Sequence, residues 1–96
     1  MNRNEIIYSL KKFKESNKEK YSIIKIGIFG SAARENLKDD SDIDIVVDTA
    51  NPNLFNLIGI KQDLEEEFHR TVDIVRYHGR MNHFLKNRID KEALYV

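Results

Sequence analysis

The sequence predicts an α/β fold with a three-stranded sheet flanked by about four helices. Two observations indicate this fold. Apolar residues recur at helical spacing in three segments, and these segments alternate with short runs rich in Ile and Val. The predicted order is helix, strand, short helix, strand, helix, strand, helix, which is typical of a layered α/β sandwich. With 96 residues and no repeat or linker-like segment, the chain has room for one domain spanning residues 1–96.

The first part of the chain contains a helix, a strand and a short helix. Helical spacing of apolar residues among lysines predicts an amphipathic helix from Asn2 to about Lys20, and Asn2 with Glu5 has the spacing of a capping box. Residues 23–29 (IIKIGIF) are mostly β-branched and nearly continuous, which favours a buried strand. Residues 32–35 favour a short helix, and the polar run after them predicts a loop.

The second part predicts two more strands and two longer helices. The second strand spans Asp42–Val47, where charged and apolar residues alternate. Asn51 is expected to cap a helix that has Pro52 at its first position and runs to about His69. Residues 71–77 predict the third strand. A last helix follows Gly79, and the final seven residues favour no element. The apolar side of this last helix would consist of Met81, Phe84, Leu85 and Ile89.

Composition and charge argue against several classes of protein. Sixteen basic and sixteen acidic residues cancel, so the overall charge gives no reason to expect direct nucleic-acid binding. The absence of cysteine excludes disulfides, thiolate metal sites and a Cys nucleophile, and it fits a reducing cytoplasm. No apolar run is long enough for a membrane span or a secretion signal. We therefore expect a cytoplasmic protein without a membrane partner.

Acidic residues are concentrated in the middle of the chain. Side chains two positions apart in a strand share a face, so Asp42 and Asp44 should project together, and oxygen ligands of this kind suit Mg²⁺ or Mn²⁺. The solvated side of an amphipathic strand explains the same pattern. Asp73 would join this pair if the second and third strands are neighbours. The densest acidic segment contains Asp39, Asp40, Asp42, Asp44 and Asp48, with no basic residue among them.

Gly30 and Ser31 lie where the first strand meets the short helix. Backbone N–H groups and a hydroxyl at such a junction can cradle a phosphate, although a tight turn that needs glycine is an equally simple explanation. The histidines have no zinc-binding spacing and are expected at the surface or the edge of the core. Four basic residues near the C-terminus could meet a triphosphate or an acidic partner, although a solvated helix face also accounts for them. They are Arg76, Arg80, Lys86 and Arg88.

These signals together resemble a known sequence motif. Gly30-Ser31, ten residues and then Asp42-Ile43-Asp44 form the pattern G-S-x10-D-x-D, and the segment FGSAARENLKDDSDIDIVVD resembles the DNA polymerase β-type nucleotidyltransferase superfamily. Within it, the chain is similar to the minimal nucleotidyltransferases of the MntA antitoxin type, which are encoded beside HEPN-type toxins. The resemblance implies a polymerase β-like nucleotidyltransferase fold with a mixed sheet. It covers most of the chain, but its specific residues lie in 29–48 and at Asp73.

The resemblance also implies roles for individual residues. Gly30 and Ser31 would hold a nucleoside triphosphate, and Arg34 would contact its phosphates. Two Mg²⁺ ions would be bound by Asp42 and Asp44. Asp73 would complete the metal site and assist deprotonation of the acceptor. The family often has glycine after the arginine, whereas this chain has Glu35, which adds negative charge near the expected phosphates.

We therefore expect an Mg²⁺-dependent enzyme that transfers AMP from ATP to a hydroxyl. The resemblance implies that the acceptor is a tyrosine of a HEPN-type toxin and that the chain acts as its antitoxin. A non-catalytic module that neutralises the same partner by covering a surface is the alternative. A nucleotidyltransferase acting on small molecules is a third reading, but such enzymes usually carry an additional acceptor-binding domain.

Overall fold

The computed structural model describes residues 1–96, which form four helices and four strands. The helices are α1 (Arg3–Asn17), α2 (Gly30–Ala33), α3 (Leu54–Phe68) and α4 (His83–Glu92). The strands are β1 (Ile23–Phe29), β2 (Ile43–Thr49), β3 (Val72–Arg76) and β4 (Leu94–Tyr95). Helices and strands alternate along the chain, which confirms the predicted α/β class and the order of its first seven elements.

The strands form one mixed sheet in the order β3-β2-β1-β4. β1 is antiparallel to β2 and β4, whereas β2 and β3 run parallel. The expected count of three strands is wrong, because Leu94 and Tyr95 add a fourth strand along β1. A strand of two residues is too short to show the alternation of a strand in the sequence, so β4 is defined only by its pairing with β1.

The sheet buries apolar residues on both faces. One face packs against α1 and α3, and its core includes Ile6 and Leu10 of α1 and Ile60 and Leu64 of α3. From the strands this core takes Ile26, Ile28, Ile43, Ile45, Val47 and Val72. The opposite face carries a smaller cluster in which α4 packs on the sheet, made of Phe29, Val46, Met81 and Ile89. Because residues alternate between faces, Asp44 lies on the same face as Val46, beside α4.

Asparagine side chains cap the N-termini of α1 and α3, and one of the two predicted caps needs a correction. Asn2 caps α1, and the reciprocal bonds with Glu5 confirm the predicted capping box. The prediction of Asn51 as the cap of α3 is wrong. Asn53 is the cap, and its side chain accepts the N–H of Asn56 at 2.8 Å. Pro52 therefore lies before the helix. Asn53, which follows Pro52, accepts a free N–H of the first turn and so marks where the helix begins.

The short helix α2 starts two residues earlier than expected, at Gly30 rather than residue 32. Gly30 has a φ of 65°, in the left-handed region that glycine occupies without steric cost. The chain thus turns from β1 directly into α2 at a single residue. No helix of the chain combines the length and apolar character needed to span a membrane.

Candidate active site

Three carboxylates lie at the end of the sheet where β2 and β3 begin. Asp42 directly precedes β2, Asp44 is its second residue, and Asp73 is the second residue of β3. The parallel register places Asp44 opposite Asp73. The second and third strands are therefore neighbours, which is the condition under which Asp73 was expected to join the acidic pair. Asp42 and Asp73 are exposed, and Asp44 is half-buried.

Asp44 experiences the strongest electrostatic perturbation in this group. Burial raises the pKa of its carboxyl group, and the neighbouring Asp73 and Asp42 raise it further. Arg88 and Arg34 act in the opposite direction and favour the charged form. A positive charge bound near the half-buried Asp44 carboxylate would therefore be attracted by all three acids and would stabilise the charged form of Asp44.

Gly30 lies in direct contact with one of these acids, Asp44. Its backbone packs so closely on Asp44 that a Cβ atom would overlap the Asp44 carboxylate and lie 3.3 Å from Arg88. Together with the φ of 65°, this contact leaves room only for glycine at this position. Ser31 follows in the first turn of α2 and is half-buried. The Gly-Ser junction and the paired acids, separated by the ten residues of the motif, are thus adjacent in space.

Arg34 and Arg88 reach the same place from different elements. Arg34 is the C-terminal cap residue of α2, and Arg88 lies on α4, where its guanidinium group stands 5.8 Å from the centre of the Phe29 ring. Glu92, the last residue of α4, joins them: its carboxylate lies 2.9 Å from the Arg34 guanidinium group and accepts the N–H of Gly30 at 3.2 Å.

The sequence indicates only part of what α4 contributes. It places Arg88 with Arg76, Arg80 and Lys86 among the basic residues that could meet a triphosphate or an acidic partner, with a solvated helix face as the other explanation. The residues at the C-terminal end of α4 were left without an assignment. The spacing of Arg88 and Glu92, four apart on a helix, was the one available signal, and it is common on solvent-exposed helices.

Glu35, where the family often has glycine, adopts a left-handed conformation with a φ of 61°. Glycine is favoured at such a position because a Cβ atom costs energy there. The Glu35 carboxylate lies 3.5 Å from Arg3 of α1. Its negative charge is therefore partnered by Arg3 of α1.

The loop before β2 is held by Arg70, a second residue that sequence reasoning did not single out. Its guanidinium group donates to the backbone carbonyls of Lys38 and Ser41, the latter at 2.6 Å. The N–H of Ile43 donates to the carbonyl of Thr71 at 3.0 Å. These bonds tie the start of β2 to the start of β3, so they help to align the strands that carry the acids.

The three acids could hold Mg²⁺ only together with ligands from a bound nucleotide and water. No three His, Asp or Glu side chains form a ready-made metal cage. Mg²⁺ in nucleotide enzymes is usually held by one or two carboxylates together with substrate phosphates and water. Asp42, Asp44 and Asp73 at an open edge match that mode of binding. The largest groove of the surface lies elsewhere, between α1 and α3, with Lys12 and Asp63 among its lining residues.

Comparison with known sequences assigns the family. The family described as polymerase beta, nucleotidyltransferase, matches residues 11–96. The chain is 38% identical over 93 residues to the Methanocaldococcus jannaschii protein MJ1217, provisionally named a protein adenylyltransferase, covering 96% of this chain and 95% of that protein. It is 37% identical over 82 residues to the protein adenylyltransferase MntA of Thermococcus cleftensis, covering 84% and 78% of the two chains.

Solved structures share the fold. A protein provisionally described as a minimal nucleotidyltransferase matches with a TM-score of 0.79 and 26% identity, covering 98% of this chain and 95% of that one. A toxin–antitoxin structure with AMP-PNP matches with a TM-score of 0.74 at 24% identity, over 99% and 72% of the chains.

A third match is the complex of an MNT antitoxin with the tri-AMPylated HEPN toxin of Shewanella oneidensis. It gives a TM-score of 0.70 at 19% identity, over 97% of this chain and 70% of that one. At this identity the likeness concerns the fold. The matched sequence family, relatives above 35% identity along most of their length and the shared fold lead to one conclusion: this chain is a minimal nucleotidyltransferase of the polymerase β family.

Proposed function

We propose that the chain transfers AMP from ATP to a tyrosine hydroxyl of a HEPN-type toxin in an Mg²⁺-dependent reaction, and that it acts as the antitoxin of that toxin. The observation that carries this proposal is the position of Asp44, which is opposite Asp73 in the sheet and in contact with Gly30. A surface that only covers a partner has no need for a half-buried carboxylate among like charges.

The proposal gives each residue a physical task. The backbone N–H groups at Gly30 and Ser31, with the guanidinium group of Arg34, hold the triphosphate through charge-assisted hydrogen bonds. Asp42, Asp44 and Asp73 are the ligands for Mg²⁺. When bound, the metal neutralises charge on the phosphates and lowers the pKa of the attacking hydroxyl.

In the transfer step, the tyrosine oxygen attacks the α-phosphorus of ATP and the bond to pyrophosphate breaks. The Asp73 side chain is exposed, so an acceptor from outside can reach it. Its carboxylate orients the tyrosine hydroxyl and accepts the proton as the new phosphorus–oxygen bond forms. Since ATP is the donor, we place this reaction in the cytoplasm.

The similar proteins support the donor, the reaction and the partner class. Relatives at 37–38% identity carry names of protein adenylyltransferases. Proteins with the same fold were solved with AMP-PNP and with a tri-AMPylated HEPN toxin.

The test uses Asp73→Asn and intact-mass spectrometry of the toxin encoded beside this chain, after incubation with ATP and Mg²⁺. Wild-type protein should add adenylyl-sized increments to the toxin, whereas Asp73→Asn should bind AMP-PNP but add none. Glu66→Gln, which removes an exposed carboxylate on α3, is the matched control and should behave like wild type.

Two results would contradict the proposal. Modification at the wild-type rate by Asp73→Asn would remove Asp73 from the reaction. A toxin that is neutralised by wild-type protein yet unchanged in mass would show a non-catalytic binding module.

A further inference from the structure

Glu92 contacts Gly30 and Arg34, two of the donors at which the triphosphate is proposed to bind, and also Arg88 of α4. One oxygen of its carboxylate lies 2.9 Å from Nη1 of Arg34. The other accepts the Gly30 N–H at 3.2 Å and lies 3.5 Å from Nε of Arg88. Both carboxylate oxygens are therefore engaged, and the side chain is only 25% exposed.

Donors that hold a carboxylate in this way also suit a phosphate. Arginine forks and backbone N–H groups bind both anions through charge-assisted hydrogen bonds. A phosphate chain offers more charge and more acceptor oxygens than a single carboxylate. The two anions exclude one another at the same N–H, because they would share its space and repel.

We propose that Glu92 is an internal competitor of the nucleotide, holding Gly30, Arg34 and Arg88 in the free protein and leaving them when the triphosphate binds. This inference rests on the proposed function, in which Gly30 and Arg34 hold the triphosphate, and it adds Arg88 to those donors. Glu92 is the last residue of α4, and its neighbour Ala93 already has an extended backbone. A rotation of the flexible Glu92 side chain can therefore release both arginines without unfolding a helix turn.

A purely structural role for Glu92 and a competing role predict opposite changes in nucleotide affinity when its carboxylate is removed. If the carboxylate served to align Arg34 and Arg88 for the nucleotide, its removal would let both side chains move freely and binding would weaken. If it competes, its removal strengthens binding. The sign of the change in affinity therefore decides between the two roles.

The experiment measures AMP-PNP binding by isothermal titration calorimetry in the presence of Mg²⁺, for wild-type protein and Glu92→Gln. The amide keeps the shape of the side chain but lacks the charge that holds the arginines. We expect binding to become tighter by about fivefold, the difference between a charge-assisted and a neutral hydrogen bond. Circular dichroism checks that the variant is folded.

Asp90→Asn is the matched control, because it removes one negative charge from the same helix. The Asp90 carboxylate contacts Tyr77 and Lys86 and makes no contact with the arginines. Its affinity for AMP-PNP should stay at the wild-type value. Weaker binding by Glu92→Gln would overturn the proposal, and so would equal tightening in both variants, which would report only the change in net charge.

A metal-free titration with inorganic tripolyphosphate separates this proposal from the proposed function. Tighter tripolyphosphate binding by Glu92→Gln, with no AMP-PNP binding by any variant, would support competition at these donors and contradict the nucleotide function. Wild-type AMP-PNP binding that Glu92→Gln leaves unchanged would overturn the competition alone. If neither compound binds any variant, both proposals fail.

Discussion

At the scale of single residues, Asp44 is a position at which the surroundings disfavour an ionised carboxylate. Its carboxylate is half-buried, and Asp42 and Asp73 add like charge. The raised pKa means that the charged form is less favourable in the folded chain than in the unfolded one. Such a position is tolerated where the charge has a use, as in binding a cation.

Asp44→Asn is therefore expected to separate activity from stability. The amide cannot supply the negative charge for Mg²⁺, so adenylyl transfer should fall by more than about 100-fold. The midpoint of thermal unfolding should stay the same or rise, because a destabilised charge is removed. Asp48→Asn is the control, four residues further along the same strand. Mg²⁺-dependent transfer by Asp44→Asn near the wild-type rate would refute the metal assignment.

Tyr21 leads to a prediction about pH. Its ring is buried and its hydroxyl donates to Asp63 at 2.6 Å. Burial, with the hydrogen bond to Asp63, raises the Tyr21 pKa to about 12 from its ordinary 10.0. The unfolded chain therefore loses this proton first as pH rises. The stability contributed by the neutral phenol is complete below pH 10 and is lost between pH 10 and about 12.

Tyr21→Phe should cost roughly 1 kcal/mol at pH 8, because the hydrogen bond is lost. At pH 11 the difference in unfolding free energy between wild type and variant should be smaller by about 1 kcal/mol. Ionisation of the Tyr21 phenol favours the unfolded wild-type chain at this pH, whereas the variant has no phenol at this position. Urea unfolding at the two pH values measures both differences. A difference that stays constant from pH 8 to pH 11 would contradict the raised pKa.

At the scale of elements, β4 depends on a single glycine of β1. Gly27 pairs with Tyr95, and a Cβ atom at Gly27 would lie 2.5 Å from the Leu94 carbonyl oxygen and 2.9 Å from the Tyr95 Cα atom. Both neighbours are backbone, so neither can rotate away. The fourth strand therefore reaches the sheet because β1 lacks a side chain at the crossing.

Gly27→Ala should detach β4 and lower the free energy of unfolding by about 1–3 kcal/mol. Hydrogen exchange gives the most direct readout, since the Val96 N–H donates to the Ile26 carbonyl at 3.0 Å and should lose protection. Gly79→Ala is the control, because a Cβ atom there has no neighbour within 4 Å. Unchanged protection of Val96 in Gly27→Ala would show that β4 adjusts to the methyl group.

At the scale of the whole molecule, the two faces of the sheet differ in how far helices cover them. One face is covered by α1 and α3 around the larger core. On the other, α4 covers only the smaller cluster, and the acids lie beyond it at an open edge. The four strands form a single sheet, and within residues 1–96 no further layer of strands or helices covers the acids.

The acceptor is therefore expected to be a macromolecule that covers the open edge itself. With ATP and Mg²⁺, wild-type protein should adenylylate the partner toxin but not a panel of small hydroxyl compounds, including free tyrosine. Mass spectrometry of both mixtures gives the comparison. Transfer to a small alcohol at a rate similar to that of the toxin would contradict this expectation and favour a small-molecule enzyme.

Much of the fold could be read from local pattern. The continuous β-branched run of β1, the alternation in β2 and the apolar stripes of α1 and α3 are properties of neighbouring residues, and the structure confirms those elements. The strand period also predicts that Asp42 and Asp44 share one face. In the structure Asp42 lies directly before β2, and its charge acts on Asp44. The motif from Gly30 to Asp44 also identified the family, which the sequence comparisons confirm. The roles of the site residues stay predictions.

Tertiary structure decided what depends on contacts between distant segments. Asp73 faces Asp44 only because β3 pairs in parallel with β2, and no residue near Asp73 encodes that partner. Arg88 and Glu92 read locally as an ordinary ion pair on a helix, and the packing of α4 on the sheet brings both to Gly30. The sequence by itself determined the first seven elements and the acidic motif, whereas β4 is defined only by its pairing with β1. Strand order and helix packing decided which charges meet, because electrostatic contacts depend on distance in space rather than along the chain.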